Sequence, residues 1–300
     1  MANLLYPAST GHYTDDKYSP LLEPNLWYNN IFQPGLTFTD KYQIGPAGQI
    51  FVHKPGVSTI SATAPGADFS DAVVQDSLIT IQLNKQINRS RKIYGATLAS
   101  VAYSAAASEM ETAIQEVRQG WTKAAYVALA TDPSVTVSDT TDTAATASTI
   151  YDLIVADRQK LVEDGANPDT IVVSPEIYGL LLKSDEFQRT GTIGDTAVAD
   201  GRVGRIAGMN VVEYQAVDSA IADDTTISGG ASSDITWATA DKMEYVMYDS
   251  DAFSIVTSVE AIRLVEEPTR FVGTLAQVQI VSGFKVTNPA RVLLKYTDAA

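Results

Sequence analysis

The spacing of apolar side chains changes character several times along the chain, and each change predicts an element. Over residues 49–53, Ile50 and Val52 alternate with other side chains; over 77–83, Ile79, Ile81 and Leu83 share one face. A period of two marks a half-buried strand. The run between them is polar and punctuated by Pro55-Gly56 and Pro65-Gly66, then Asp68 and Asp71. The two stretches read as a long β-hairpin whose tip far exceeds a tight turn. An isolated two-stranded hairpin is marginal in water, so this one needs something else to hold it.

From Met110 the period becomes helical. Met110, Ala113, Ile114, Val117, Trp121, Ala124, Ala125 and Ala128 fall on one face. Ser108 with Glu111 forms a capping box and Glu109 adds first-turn charge, which starts the helix near Ser108; Asp132-Pro133 stops it near Ala130. Such a helix is over ~30 Å long. Residues 132–148 have no periodicity and read as loop. A second helix over 147–163 turns Ile150, Leu153, Ile154 and Leu161 inward and closes at Gly165 and Asn167-Pro168. Ile171-Val172-Val173 reads as a short buried strand, running into Ser174 as N-cap and Pro175 at the first helical position. The short helix that follows carries Ile177, Leu180, Leu181 and Leu182.

From Gly201 the pattern is β. Val203 and Ile206 lead to a turn at Gly208-Met209-Asn210, then Val211, Val212 and Tyr214. A polar loop covers 218–234, and strands are expected over 235–238, 245–248, 253–257 and 261–265. The end alternates from Phe271 to Ile280, breaks at Ser282-Gly283, and resumes over 284–286 and 292–295. The fold class is α+β with one dominant helix and no internal repeat.

Residues 1–47 follow no such period. Pro7, Pro20, Pro24, Pro34 and Pro46 forbid long helices, yet Tyr6, Tyr13, Tyr18, Trp27, Tyr28, Phe32, Phe38 and Tyr42 recur. Solvated linkers are poor in rings. The segment reads as an extended arm that lies either on its own domain or on a neighbouring chain.

Composition narrows the function. At 45% apolar and 19% charged, the chain is an ordinary folded protein. It has no cysteine, which removes disulfides, thiolate metal sites and cysteine nucleophiles. No apolar run spans a bilayer, and the start reads as no signal peptide. Residues 1–100 carry 7 acidic and 7 basic side chains, while 132–251 carry 22 acidic and 7 basic, the whole of the net −15. That half repels phosphate backbones, which argues against a nucleic-acid reader.

Catalytic and metal chemistry finds no foothold. Only His12 and His53 are present, in two poorly structured places, and no G-x-S-x-G elbow exists. Gly201, Gly204 and Gly208 lack the Lys-Ser/Thr of a phosphate loop and read as turn geometry. Asp249-Ser250-Asp251 with Glu260 only faintly echoes a calcium loop, because Phe253 and Ser254 replace the required residues. No catalytic residue, cofactor or metal ligand is assigned. Lys85, Arg89, Arg91 and Lys92 form the single basic cluster; without an aromatic platform it reads as a solvated strand end or a partner for acidic residues of another subunit.

Three stretches carry a resemblance. They are Ile171-Val172-Val173-Ser174-Pro175-Glu176-Ile177-Tyr178-Gly179-Leu180-Leu181-Leu182 continuing to Phe187, Gly201-Arg202-Val203-Gly204-Arg205-Ile206-Ala207-Gly208-Met209-Asn210-Val211-Val212-Glu213, and the ending Gly283-Phe284-Lys285-Val286-Thr287-Asn288-Pro289-Ala290-Arg291-Val292-Leu293-Leu294-Lys295. In this order, after a hairpin and a long amphipathic helix, they resemble the major capsid proteins of tailed bacteriophages with the HK97-type fold.

The resemblance implies an N-terminal arm over 1–47, an extended loop over 48–92, a peripheral domain over 93–147 with the long helix as its spine, an axial domain over 148–258, and returning peripheral strands over 259–300. It implies a non-enzymatic subunit that assembles into the pentamers and hexamers of an icosahedral virion shell around double-stranded DNA, built in the host cytoplasm. The expected partners are copies of itself, portal and scaffolding proteins and a decoration protein, with no membrane and no sequence-specific DNA contact. Candidate inter-subunit contacts are Tyr6, Tyr13, Tyr18, Trp27, Tyr28, Phe32, Lys85, Arg89, Arg91 and Lys92. Some members join subunits through a lysine near the loop tip; residues 55–76 hold no lysine, so the expected shell is non-covalent. The absence of a long leading scaffold segment implies a separate scaffold or none. The alternatives are an encapsulin-like bacterial shell protein, an oligomeric surface protein, or an enzyme with an unrecognised site.

Overall fold

The computed structural model describes residues 31–34, 36–42, 49–54, 76–94, 105–130, 132, 134–139, 143–184, 204–215, 242–266 and 272–297. The expected strand over 235–238, the hairpin tip over 55–75 and the arm before Ile31 lie outside them.

The hairpin forms as its alternation predicts. β1 (Gln49–Lys54) pairs antiparallel with β2 (Ser77–Gln82), Ile50 opposite Ile81 and Val52 opposite Ile79. Two residues later the chain enters β3 (Lys85–Tyr94), which belongs to a different sheet.

The long helix, α1 (Ala105–Ala130), begins three residues before the expected cap. Ala105, Ala106 and Ala107 are strong helix formers, so the helix continues upstream of Ser108. Ser108 is therefore an interior residue whose carbonyl accepts from Thr112 Oγ1 at 2.8 Å. Its 26 residues span about 39 Å.

After α1 come β4 (Thr136–Val137), α2 (Ile150–Glu163), β5 (Thr170–Val173) and α3 (Pro175–Lys183). Ser174 caps α3 as its position predicts, its side chain accepting from the Ile177 amide at 3.4 Å. α2 ends where Gly165 takes φ +84°, a left-handed conformation glycine adopts without strain. β6 (Arg205–Ile206) and β7 (Met209–Glu213) form a hairpin that turns at Ala207-Gly208, one residue earlier than its sequence suggests.

The last strands are longer than the alternation implied. Following β8 (Lys242–Tyr248), residues 253–257 and 261–265 fuse into β9 (Phe253–Glu266). The expected break at Ser282-Gly283 lies inside β10 (Gly273–Val286). The register slips between Val281 and Ser282, which pair with Val259 and Thr257 and leave Ser258 as the extra residue of a bulge. β11 (Val292–Thr297) closes the chain.

Two larger sheets result. One has the order β3-β10-β9, antiparallel throughout, with α1 on one face. The other has the order β4-β11-β8-β5-β7-β6, and Ile150, Ile154 and Leu161 of α2 with Ile177 and Leu181 of α3 pack on it. The largest cluster of buried side chains joins the two halves, uniting Tyr126 and Leu129 of α1 with Val246, Phe253, Val286 and Leu294.

Candidate assembly surfaces

The arm end, the hairpin and the basic cluster each have a definite placement. The first is the arm. Tyr6, Tyr13, Tyr18, Trp27 and Tyr28 lie outside the described residues. Phe32 does not: it is only 3% exposed, its ring 5.7 Å from Phe253 and 6.3 Å from Trp121. Phe32 is therefore core, not a contact offered to a neighbour; burying a ring of this size favours the chain's own interior. Phe38 also lies 6.3 Å from Trp121, and Thr39 bridges to Ser254, donating its amide to Phe253 O at 2.9 Å. Lys41 pairs with Asp251 at 2.5 Å, and that hydrogen bond raises the lysine's pKa. The stretch 31–42 is thus part of the body.

Trp121 is the hub of this region. Its indole Nε1 donates to Ser282 Oγ at 3.0 Å, and Phe284 lies 6.0 Å from its ring.

The second piece is the hairpin. Its inner face carries Ile50 and Ile81, which pack with Val256, Tyr42 and Val52. Lys54 Nζ donates to Asn288 Oδ1 at 3.1 Å. Its base is pinched against β10, where a β-carbon on Gly283 would stand 2.5 Å from the Gln82 carbonyl oxygen. Its other face shows Phe51, more than half exposed, with Leu78. The base belongs to the chain; the outer face has no cover among the described residues.

The third is the basic cluster on β3. Register sets Arg89 opposite Val278 and Arg91 opposite Ala276, both on the helix-covered face. There Arg89 Nε meets Glu116 Oε2 at 2.6 Å, Arg91 Nη2 meets Glu116 Oε1 at 2.6 Å, and Arg91 also pairs with Glu109. The Arg91 hydrogen bond is the leading cause that holds the Glu116 carboxyl below its usual range. Both arginines pair with the chain's own helix, and Arg89 keeps more than half of its side chain exposed. Lys85 and Lys92 sit on the same strand, Lys92 exposed.

Sequence patterning gave no sign of two buried polar knots. Asp157 on α2 accepts from Tyr245 OH at 2.7 Å and Ser138 Oγ at 3.0 Å, and burial pushes the Tyr245 hydroxyl pKa up. Lys295, fully buried, donates to Thr143 O at 2.7 Å and faces Glu244 at 3.1 Å. Glu244 in turn accepts from the Ala145 amide and Thr297 Oγ1. Both knots fasten the loop before α2 to the six-stranded sheet. Among the described residues no cluster could hold a metal ion, and no helix is long and apolar enough to cross a membrane. Asp249 instead caps a short turn and accepts from Arg291 Nη1 at 3.0 Å.

No protein-family model matches the chain, and no curated protein is significantly similar to it. Solved structures are. The capsid of the cyanophage P-SCSP1u superposes with a TM-score of 0.72 at 14% identity, covering 100% of this chain and 99% of that one. The fold is that of a phage capsid chain. A structure of Mycobacterium phage Che8 gives 0.71 at 16% identity over 94% and 96% of the two chains. The mature capsid of bacteriophage PhiM1 gives 0.64 at 15% over 95% and 92%.

Proposed function

We propose that this protein is the structural subunit of an icosahedral phage-type shell, its copies joined into pentamers and hexamers around double-stranded DNA. One observation carries the reading: the likeness to capsid chains runs nearly end to end in both partners. The mechanism is mechanical, many modest interfaces closing a finite surface by symmetry. The acidic half fits a container whose genome enters and leaves without sticking.

On this reading α1 is the spine of a peripheral domain with β3, β9 and β10, the six-stranded sheet with α2 and α3 is the axial domain, and the hairpin β1-β2 is the extended loop; β3 thereby leaves the loop expected over 48–92, and β4 and β11 leave the peripheral segments expected over 93–147 and 259–300. Within the arm, residues 31–34 and 36–42 serve the core, and the aromatic residues before them reach other copies. Tyr6, Tyr13, Tyr18, Trp27 and Tyr28 are its contacts with neighbouring copies, and Lys85 and Lys92 contact acidic residues of another copy. Portal, scaffold and decoration partners and assembly in the host cytoplasm follow from the same reading.

Negative-stain microscopy of the purified protein tests it. Closed particles with fivefold and sixfold capsomers are expected. A strictly monomeric protein at every concentration and salt overturns the reading. An enzyme cargo inside the particles would move it to a bacterial nanocompartment.

A further inference from the structure

The three-stranded sheet is covered unevenly. Glu109 and Glu116 turn toward β3 and Ala113 and Val117 onto β10, so Met110 and Ile114 fall one step further round, on the flank nearest β9. Register sets Ile262 opposite Val278 and Leu264 opposite Ala276, which places both on the helix face. Yet they are 50% and 44% exposed, whereas Val278 and Ala276 are buried. The helix stops short of the edge strand.

The backbone of that strand is open as well. Before the bulge, Phe253 and Ile255 direct their outward groups to Thr39. The extra residue at Ser258 shifts the alternation by one, so 260, 262, 264 and 266 direct amide and carbonyl away from β10. Among the described residues no strand pairs there. The edges of the six-stranded sheet and the other edge of this one are defended: β4 and β6 are two residues long, and β3 carries Lys85, Arg89, Arg91 and Lys92. Short strands and clusters of basic side chains are the usual protection against strand addition, and the second half of β9 is long and carries a single basic residue, Arg263.

We infer that β9 pairs with β9 of a second copy across a twofold axis, making a continuous six-stranded antiparallel sheet with both α1 helices on one face. An antiparallel strand meets its own copy without any second complementary surface, and charge selects the register. Centring on Arg263 opposes that cation to itself. Centring on Ile262 opposes Ile262 to itself and Arg263 to Ala261, which removes that repulsion.

Space agrees. The two helices, each above β10 and β3, stand about four strand spacings apart, ~19 Å. A helix is about 10 Å wide, which leaves a trough ~9 Å across. Ile262 and Leu264 from both copies fill it, walled by Met110 and Ile114. The joint goes beyond the shell reading and does not require it.

The absence of cysteine makes the test direct. In Ile262→Cys the only thiol sits on the axis, where self-opposed residues lie ~5.5 Å apart, within disulfide reach. Val155→Cys on exposed α2 is the control. Under a mild oxidant or a short bis-maleimide, Ile262→Cys should form covalent dimer at least about tenfold faster, as fixed proximity demands. An equal or slower rate overturns the inference. Ile262→Lys, with its fold verified by circular dichroism, should weaken self-association; closed particles from that variant leave the shell reading standing and remove the twofold joint. Cross-linking of Ile262→Cys without particles would keep the joint and remove the shell.

Discussion

The Gln82 carbonyl oxygen fills the place a side chain on Gly283 would need, 2.5 Å from an ideal β-carbon. The hairpin therefore crosses β10 at backbone contact, and only glycine permits the crossing. Gly283→Ala should cost about 1–3 kcal/mol through forced backbone displacement. Limited proteolysis near the hairpin base should accelerate along with the fall in thermal midpoint. An unchanged digestion pattern would mean the contact is dispensable.

Phe32 and Phe38 anchor the last part of the arm in the core. Phe32→Ala should destabilise the subunit by about 3–5 kcal/mol, the range for buried aromatic truncation. Removing residues 1–30 should leave the denaturation midpoint almost unchanged, and removing 1–47 should lower it sharply because Phe32 and Phe38 go with it. Parallel urea titrations of the two truncations decide the boundary.

Glu116 predicts an acid-side effect. Its folded pKa is lowered, foremost by the Arg91 hydrogen bond. An unfolded chain takes up that proton first as pH falls, so the contribution is full above the ordinary carboxylate value of about 4.3 and disappears through the lower folded value. Glu116→Gln should cost about 1–2 kcal/mol at neutral pH, the scale of a charged hydrogen bond. Its thermal midpoint should converge with the parent's as pH drops below about 4.

Removing one side of a buried knot should be worse than removing both. Tyr245→Phe leaves Asp157 held by Ser138 and should cost about 1–3 kcal/mol. Lys295→Met alone strands the Glu244 carboxylate and should cost about 3–5 kcal/mol. Lys295→Met with Glu244→Gln should recover part of that loss in a double-mutant cycle measured by chemical denaturation.

Local chemistry was readable wherever a residue acts on its own neighbourhood. Ser174-Pro175 starts α3, Ile50/Val52 and Ile79/Ile81 pair, and the helix face from Ala113 to Ala125 is buried. What escaped depends on residues far apart. Ser282-Gly283 resembles a strand end until β2 is known to cross there. Phe32 resembles a ring awaiting a neighbour until Phe253 and Trp121 close around it. Arg89 and Arg91 look like a free basic patch because Glu109 and Glu116 lie on another element. Asp157 and Lys295 occur at positions where polarity normally means solvent, and only their partners reveal otherwise.

Trp121 has a practical consequence. Among the described residues it is the single tryptophan, the other two being Trp27 and Trp237. With those two changed to phenylalanine, emission would come from one indole wedged between the incoming arm end, the long helix and the bulged strand. Loosening of that joint would redden its spectrum, so the molecule carries a built-in optical gauge of its own tightening.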